Sequence, residues 1–292
     1  MKKVFVTGGT GFVGSYVIHE LLKRGLHVTA LTHGRKAQEG AETVRGDILR
    51  PETFAGALKG MDAVIHLVGI IREFPSKGVT FENMHYNATV NVVEAAEKAE
   101  VKRFVHMSAN GTRENAVSMY HITKFRAEQH LKNSGLDWTI FRPSLVYGPG
   151  DSFISMLAGF MKNTPVFTYF GDGSYPMQPI SAYETAEAFA DSLFKPESIG
   201  KTYTLCGNKT FTYKELLRSV SEALGSGKTL IPVPETLVSL GIRLFGGFSF
   251  FPITKDQFIM LKEGNTCENR DAFEELSIKE RDFEEEIRKY II

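Results

Sequence analysis

The residue pair with the clearest chemistry is Tyr120 and Lys124, set as Tyr-His-Ile-Thr-Lys. On a helix, positions i and i+4 share one face, so hydroxyl and ammonium converge. A phenol titrates near pH 10, and an adjacent ammonium favours the phenolate and lowers that value. Such a group gives a proton to, or takes one from, a carbonyl or alcohol oxygen. Ser108 follows the strand pattern Arg103 to Met107, where its hydroxyl can bond the same oxygen. The spacing by itself is weak in a chain with ten Tyr. Its weight comes from its place, on the helix after the Ser108 strand. The plainer alternative is a Tyr and Lys that only hold a bound ribose, beside a Ser108 that only bonds the strand end.

The second constellation is Thr7-Gly-Gly-Thr-Gly-Phe-Val-Gly14. It follows a short apolar run, Val4 to Val6, and opens a helical pattern carried by Phe12, Val13, Val17, Ile18, Leu21 and Leu22. Gly8, Gly11 and Gly14 suit a tight strand-to-helix turn. The turn brings bare backbone N–H groups and a helix N-terminus against a pyrophosphate. Gly8, Thr10, Gly11, Phe12, Val13 and Gly14 are therefore the expected phosphate cradle of a dinucleotide.

Further segments carry a family resemblance. Gly46-Asp47-Ile48, His66-Leu67-Val68-Gly69, Asn87-x-Thr89-x-Asn91-Val-Val, His106-Met107-Ser108 and Arg142-Pro143-Ser144-x-Val146-Tyr147-Gly148-Pro149-Gly150 follow in order. With the glycine turn, they resemble the short-chain dehydrogenase/reductase superfamily in its extended or atypical, epimerase/dehydratase-like branch. Tyr120 to Phe153 and Gln178-Pro179-Ile180 are most similar to the NDUFA9-like subgroup, named for an accessory subunit of respiratory complex I. The resemblance covers roughly residues 1–205. It implies that Asp47 and Ile48 contact adenine, and that Leu67, Val68 and Gly69 lie beside the cofactor ribose. It also implies that Asn87 positions a relay water and that Pro143 contacts the cofactor. Tyr120 is then acid or base, Lys124 lowers its pKa and holds ribose, and Ser108 orients the substrate oxygen.

The cofactor type is set at the end of the second strand. An NAD-selective fold usually places Asp or Glu there for the ribose 2′-hydroxyl. This chain has Leu31-Thr-His-Gly-Arg-Lys36, with no acid. His33, Arg35 and Lys36 can instead pair with a 2′-phosphate. NADP(H) is the expected cofactor, with NAD(H) as the alternative. A solvated basic loop is the plainer account of these three residues.

Composition narrows the class of function. The 292 residues carry 34 Lys plus Arg against 34 Asp plus Glu. That balance gives no basic stripe for nucleic acid and no charge excess for disorder. Cys206 and Cys267 have no CxxC spacing, so neither a disulfide framework nor a zinc site is expected. The eight His include no HExxH, so no metal is expected. Only Val4 to Val6 follow Lys2 and Lys3, too short for a secretory core, and no transmembrane stretch stands out. A cytoplasmic protein is expected, of open oligomeric state.

The elements needed to position these groups alternate through the first half. Strand patterns fall at Val4–Val6, His27–Leu31, Thr43–Gly46, Ala63–Val68, Arg103–Met107 and Trp138–Arg142. Helical patterns intervene, with a short one at Pro51–Lys59 and longer ones at Asn87–Ala99 and Tyr120–Asn133. Such alternation predicts an α/β fold, a Rossmann-type doubly wound parallel sheet with a smaller C-terminal α/β substrate region. The expected division is 1–150 for the cofactor and 151–292 for the substrate, packed on the first part. His66 and His106 lie in buried-strand patterns and are expected to be satisfied structural residues. The Phe-rich segment 245–251 suits a lid, a hydrophobic substrate pocket, or a peripheral membrane or partner contact.

The expected function is hydride transfer between NADP(H) and a small, hydrophobic carbonyl or quinone substrate. Two alternatives stand beside it. One is a non-catalytic NADP(H)-binding structural or regulatory protein. The other is a nucleotide-sugar epimerase or dehydratase, which needs polar and basic contacts that the region after 150 supplies poorly.

Overall fold

Residues 1–225, 227–245 and 253–291 are described by the computed structural model, with the backbone alone at Phe245. Apart from that backbone, the Phe-rich segment 245–251 lies outside the described residues.

The apolar run Val4, Phe5 and Val6 is fully buried in β1 (Lys3–Thr7). Parallel strands covered on both faces show such unbroken runs. Helix α1 (Phe12–Lys23) follows and buries Val13, Val17, Ile18 and Leu21. Next come β2 (His27–Thr32), β3 (Glu42–Arg45) and β4 (Ala63–His66). Then come α2 (Ala88–Lys98), β5 (Arg103–Met107), α3 (Met119–Lys132) and β6 (Asp137–Pro143). A further strand, Lys201–Leu205, adds to β6. The result is a seven-stranded sheet in the order Lys201–Leu205, β6, β5, β4, β1, β2, β3. All its pairings are parallel. This is the expected doubly wound architecture.

Three expectations change. Pro51–Lys59 forms two 3₁₀ turns, Pro51–Thr53 and Ala55–Leu58, because a short run carrying Gly56 propagates α-helical bonding poorly. A π-helical turn, Glu82–Asn87, precedes α2. The cut at residue 150 gives way to an interleaved division. One compact unit is Met1–Pro143, Ala182–Leu205 and Asn269–Lys279; the other is Ser144–Ser181, Cys206–Glu268 and Glu280–Ile292. The chain returns to the first unit because Lys201–Leu205 completes its sheet and the Ala182–Ser192 helix packs on α1, where Arg24 pairs with Asp191.

The second unit has its own core, including Tyr147, Ile154, Met161, Phe211, Leu217 and Phe283. Its strands are short pairs, such as Val166–Phe170 with Thr229–Val233. Within it, Cys206 and Cys267 are joined by a disulfide, contrary to the sequence expectation. The fold brings their Cα atoms to 5.9 Å, a bridging distance that the linear spacing does not disclose. No helix among the described residues is long and apolar enough to cross a membrane.

Candidate active site

From β1 the chain runs outward in one direction through β2 and β3, and in the other through β4, β5 and β6. The crevice at the carboxyl ends of β1 and β4 is therefore the topological switch point, where open α/β sheets bind ligands. The glycine turn lies there. Gly8 has a φ of +75°, and a Cβ on it would come within 2.8 Å of the Leu67 carbonyl carbon and 2.9 Å of Val68 N. Turn and loop thus pack backbone against backbone. A Cβ on Gly14 would come within 2.2 Å of the Gly8 oxygen, so α1 approaches the turn only because residue 14 lacks one. Gly11 caps α1 without a side-chain bond, and the first turn carries no acid. The first-turn N–H groups and the positive end of the helix are left for an anionic ligand. These residues fit a pyrophosphate.

The neighbouring strand ends carry the other residues expected to meet the cofactor. β2 ends on buried Leu31 and Thr32, and His33, Arg35 and Lys36 follow, all exposed. Gly46 packs tightly beyond β3; a Cβ there would come within 2.8 Å of Thr53 Oγ1. Asp47 accepts from Leu49 N at 2.9 Å, and the Ile48 carbonyl accepts from Asn91 Nδ2 at 3.0 Å. Asn91 therefore fixes the expected adenine loop from α2. Pro143 ends β6, and its carbonyl accepts from Asn110 N at 2.9 Å.

Tyr120 and Lys124 lie on α3, and both are buried. Lys124 Nζ donates to the Met107 carbonyl at 3.0 Å, on the last residue of β5. Ser108 comes next, its N–H on the Phe141 carbonyl at 2.7 Å and its Oγ 3.4 Å from Thr112 Oγ1. One strand end thus carries Ser108 and receives the lysine. A Cβ on Gly69 would come within 3.3 Å of Lys124 Nζ, so the ammonium also sits beside the expected ribose loop. Burial lowers the Lys124 pKa to about 8, against a smaller opposing pull from Glu128.

One expectation about this site is corrected. The Tyr120 phenol is not shifted toward phenolate; burial raises its pKa above the ordinary value. The lysine lies toward the ring, 5.8 Å from its centroid, and one of its N–H groups donates to the Met107 carbonyl. Asn87, at the end of the π turn, donates from its amide to Asn83 Oδ1 at 3.1 Å. The residue brought to the pair is His85, whose ring meets Tyr120 edge-on at 5.0 Å.

Sequence patterning missed His85 because a π turn breaks the 3.6-residue period around it. The available signal was Thr89, four residues on. Its hydroxyl donates to the His85 carbonyl at 2.6 Å, so it accepts from His66 Nε2 at 3.1 Å. His66 is then the Nε2–H tautomer, and its Nδ1 accepts from Thr7 Oγ1 at 2.6 Å. His66 is satisfied, as expected. His106 is not: it stacks on His66 at 5.4 Å, and among the described residues neither ring nitrogen has a hydrogen-bond partner. Burial, with help from the Lys124 charge, lowers His66 to about 3 and His85 to about 2. His106 is also pushed well down. All three rings are neutral under working conditions.

A glycine turn and a Tyr-Lys helix at the switch point of a parallel sheet define a dinucleotide-binding α/β protein. The comparisons specify the family. The NAD dependent epimerase/dehydratase family model matches residues 4–206, and the chain belongs to that family. The 40 kDa subunit of NADH-ubiquinone oxidoreductase from Neurospora crassa is 24% identical over 80% of this chain, and the match spans 63% of that subunit. The photosystem II assembly factor Ycf39 of Trieres chinensis is 27% identical over 96% of this chain and 83% of its own. In structure, a UDP-glucose 4-epimerase of Thermotoga maritima, solved with UDP-glucose, superposes with a TM-score of 0.78. That superposition covers 99% of this chain and 97% of the other at 19% identity, which shows the shared fold.

Proposed function

We propose that the protein is an NADP(H)-dependent oxidoreductase that reduces a small, hydrophobic carbonyl or quinone. The observation that carries this proposal is Lys124. It is a buried lysine one helical turn from Tyr120, bonded to the strand end that carries Ser108 and lying beside Gly69. Bound nicotinamide supplies the hydride. The Tyr120 phenol, kept protonated by burial, serves as the acid toward a carbonyl oxygen. Ser108 orients that oxygen, and Lys124 holds the ribose. The exposed His33, Arg35 and Lys36, with no acid at the end of β2, support NADP(H) over NAD(H). Substrate specificity is assigned to the second unit, Ser144–Ser181, Cys206–Glu268 and Glu280–Ile292.

A second reading is a cofactor-binding protein without turnover. The burial of Tyr120, only 8% exposed, favours it. So does the likeness to respiratory-complex subunits and an assembly factor, whose activities and partners belong to those proteins.

The test is a turnover screen with NADPH across quinones, aldehydes and nucleotide sugars, with Tyr120→Phe alongside. The expected result is NADPH oxidation with a carbonyl class. Tyr120→Phe should lower it about 100-fold or more with cofactor affinity retained. NADPH binding without turnover favours the second reading. Conversion of a nucleotide sugar without net NADPH consumption indicates an epimerase or dehydratase.

A further inference from the structure

His85 spans three elements. It sits in the π turn before α2, only 1% exposed, with its ring stacked on Phe81 at 5.2 Å and edge-on to Tyr120 at 5.0 Å. Its Nδ1 lies 3.0 Å from Thr123 Oγ1, on α3 between Tyr120 and Lys124. That hydroxyl donates to the Met119 and Tyr120 carbonyls at 2.9 and 3.1 Å. The hydroxyl and Nδ1 share one hydrogen bond. Nε2 meets the Ile70 backbone, 3.0 Å from its carbonyl oxygen and 3.2 Å from its N. Gly69 lies between the two basic groups: a Cβ there would be 3.8 Å from His85 Nε2 and 3.3 Å from Lys124 Nζ.

We propose that His85 is a positioning residue whose neutral ring staples the Leu67–Ile70 loop to the helix that carries Tyr120 and Lys124. The naming of that loop as a ribose contact rests on the oxidoreductase proposal above; the staple itself does not. Through Thr89 and His66 the same network continues to Thr7, which opens the glycine turn. The turn, the loop and α3 are thus held in one hydrogen-bonded series, and the loop keeps water from Lys124.

The experiment is a titration of Lys124 by carbon-13 NMR of its ε position in the cofactor-free protein. Glu128, His66, His85 and His106 are the titratable groups that act electrostatically with Lys124. His85→Phe keeps the ring and loses both bonds, so water should reach the ammonium. Its midpoint should rise from about 8 toward 10.5, by one unit or more. His85→Gln has a donor and an acceptor for the same two partners and should restore the original midpoint. Thr123→Val, nearly isosteric, should move it in the same direction if His85→Phe does not fold. An unchanged midpoint in folded His85→Phe, or in Thr123→Val, overturns the proposal. So does a shift in His85→Phe that His85→Gln does not reverse. Because no cofactor is present, failure of the oxidoreductase proposal appears separately, as absent NADPH turnover.

Discussion

Lys124 Nζ meets the Met107 carbonyl at 3.0 Å, so a buried ammonium is held at the strand end beside Ser108. Folded Lys124 loses its proton near pH 8, whereas an unfolded lysine does so near 10.5. Between those values the unfolded chain binds more protons, so this group makes stability rise with pH across that window. Below pH 8 the full penalty persists, on the order of 3 kcal/mol. Lys124→Met should therefore stabilise the protein at pH 7 by about 1–3 kcal/mol while weakening cofactor binding. Urea unfolding and NADPH fluorescence titration measure the two effects.

The three buried histidines give the opposite end of the pH range its own signature. Each titrates near 6.5 when unfolded, and His66 and His85 near 3 and 2 when folded. With His106 also displaced downward, the unfolded chain takes up more protons as pH falls below 6.5. Stability should then fall by up to about 4 kcal/mol per pH unit, the slope for three protons. Urea unfolding between pH 7 and 4.5 checks this. A slope near zero would mean the rings are hydrated or charged in the folded protein.

Cofactor choice is tested at the exposed end of β2. Replacing both Arg35 and Lys36 by Ala should raise the dissociation constant for NADPH about ten-fold and leave that for NADH unchanged. The difference should shrink with added salt, because exposed charges are screened. Equal constants for the two cofactors in the unmodified protein would remove the NADP(H) preference.

The disulfide closes a long excursion, with Cys206 and Cys267 separated by 61 positions. Chain-entropy estimates for such a loop give about 4 kcal/mol. Cys206→Ser, or reduction with dithiothreitol, should lower stability by about 2–4 kcal/mol, read by urea unfolding under both conditions. Gln178 should moderate the loss, since its side chain accepts from Cys267 N and donates to the Gly207 carbonyl.

Much of the fold was legible in local pattern. Buried strands such as Val4–Val6 stand out because both faces are covered, and Gly8 and Gly14 stand out because backbone crowding admits no Cβ. The Tyr120–Lys124 pair was legible from helical periodicity. The Lys201–Leu205 strand was not, because half-exposed residues on an edge strand make no continuous apolar run. His85 was not legible, because a π turn adds a residue to the period and shifts the inward-facing position.

The sequence by itself determined the doubly wound sheet, the glycine turn and the residues at its carboxyl edge. These depend on short-range order, on which face a side chain takes and which turns need glycine. Only the tertiary structure decided the protonation tendencies of Tyr120 and Lys124, the entry of His85 into the site and the pairing of Cys206 with Cys267. Those depend on burial and on distances between segments far apart in the chain, and no spacing along the chain encodes them.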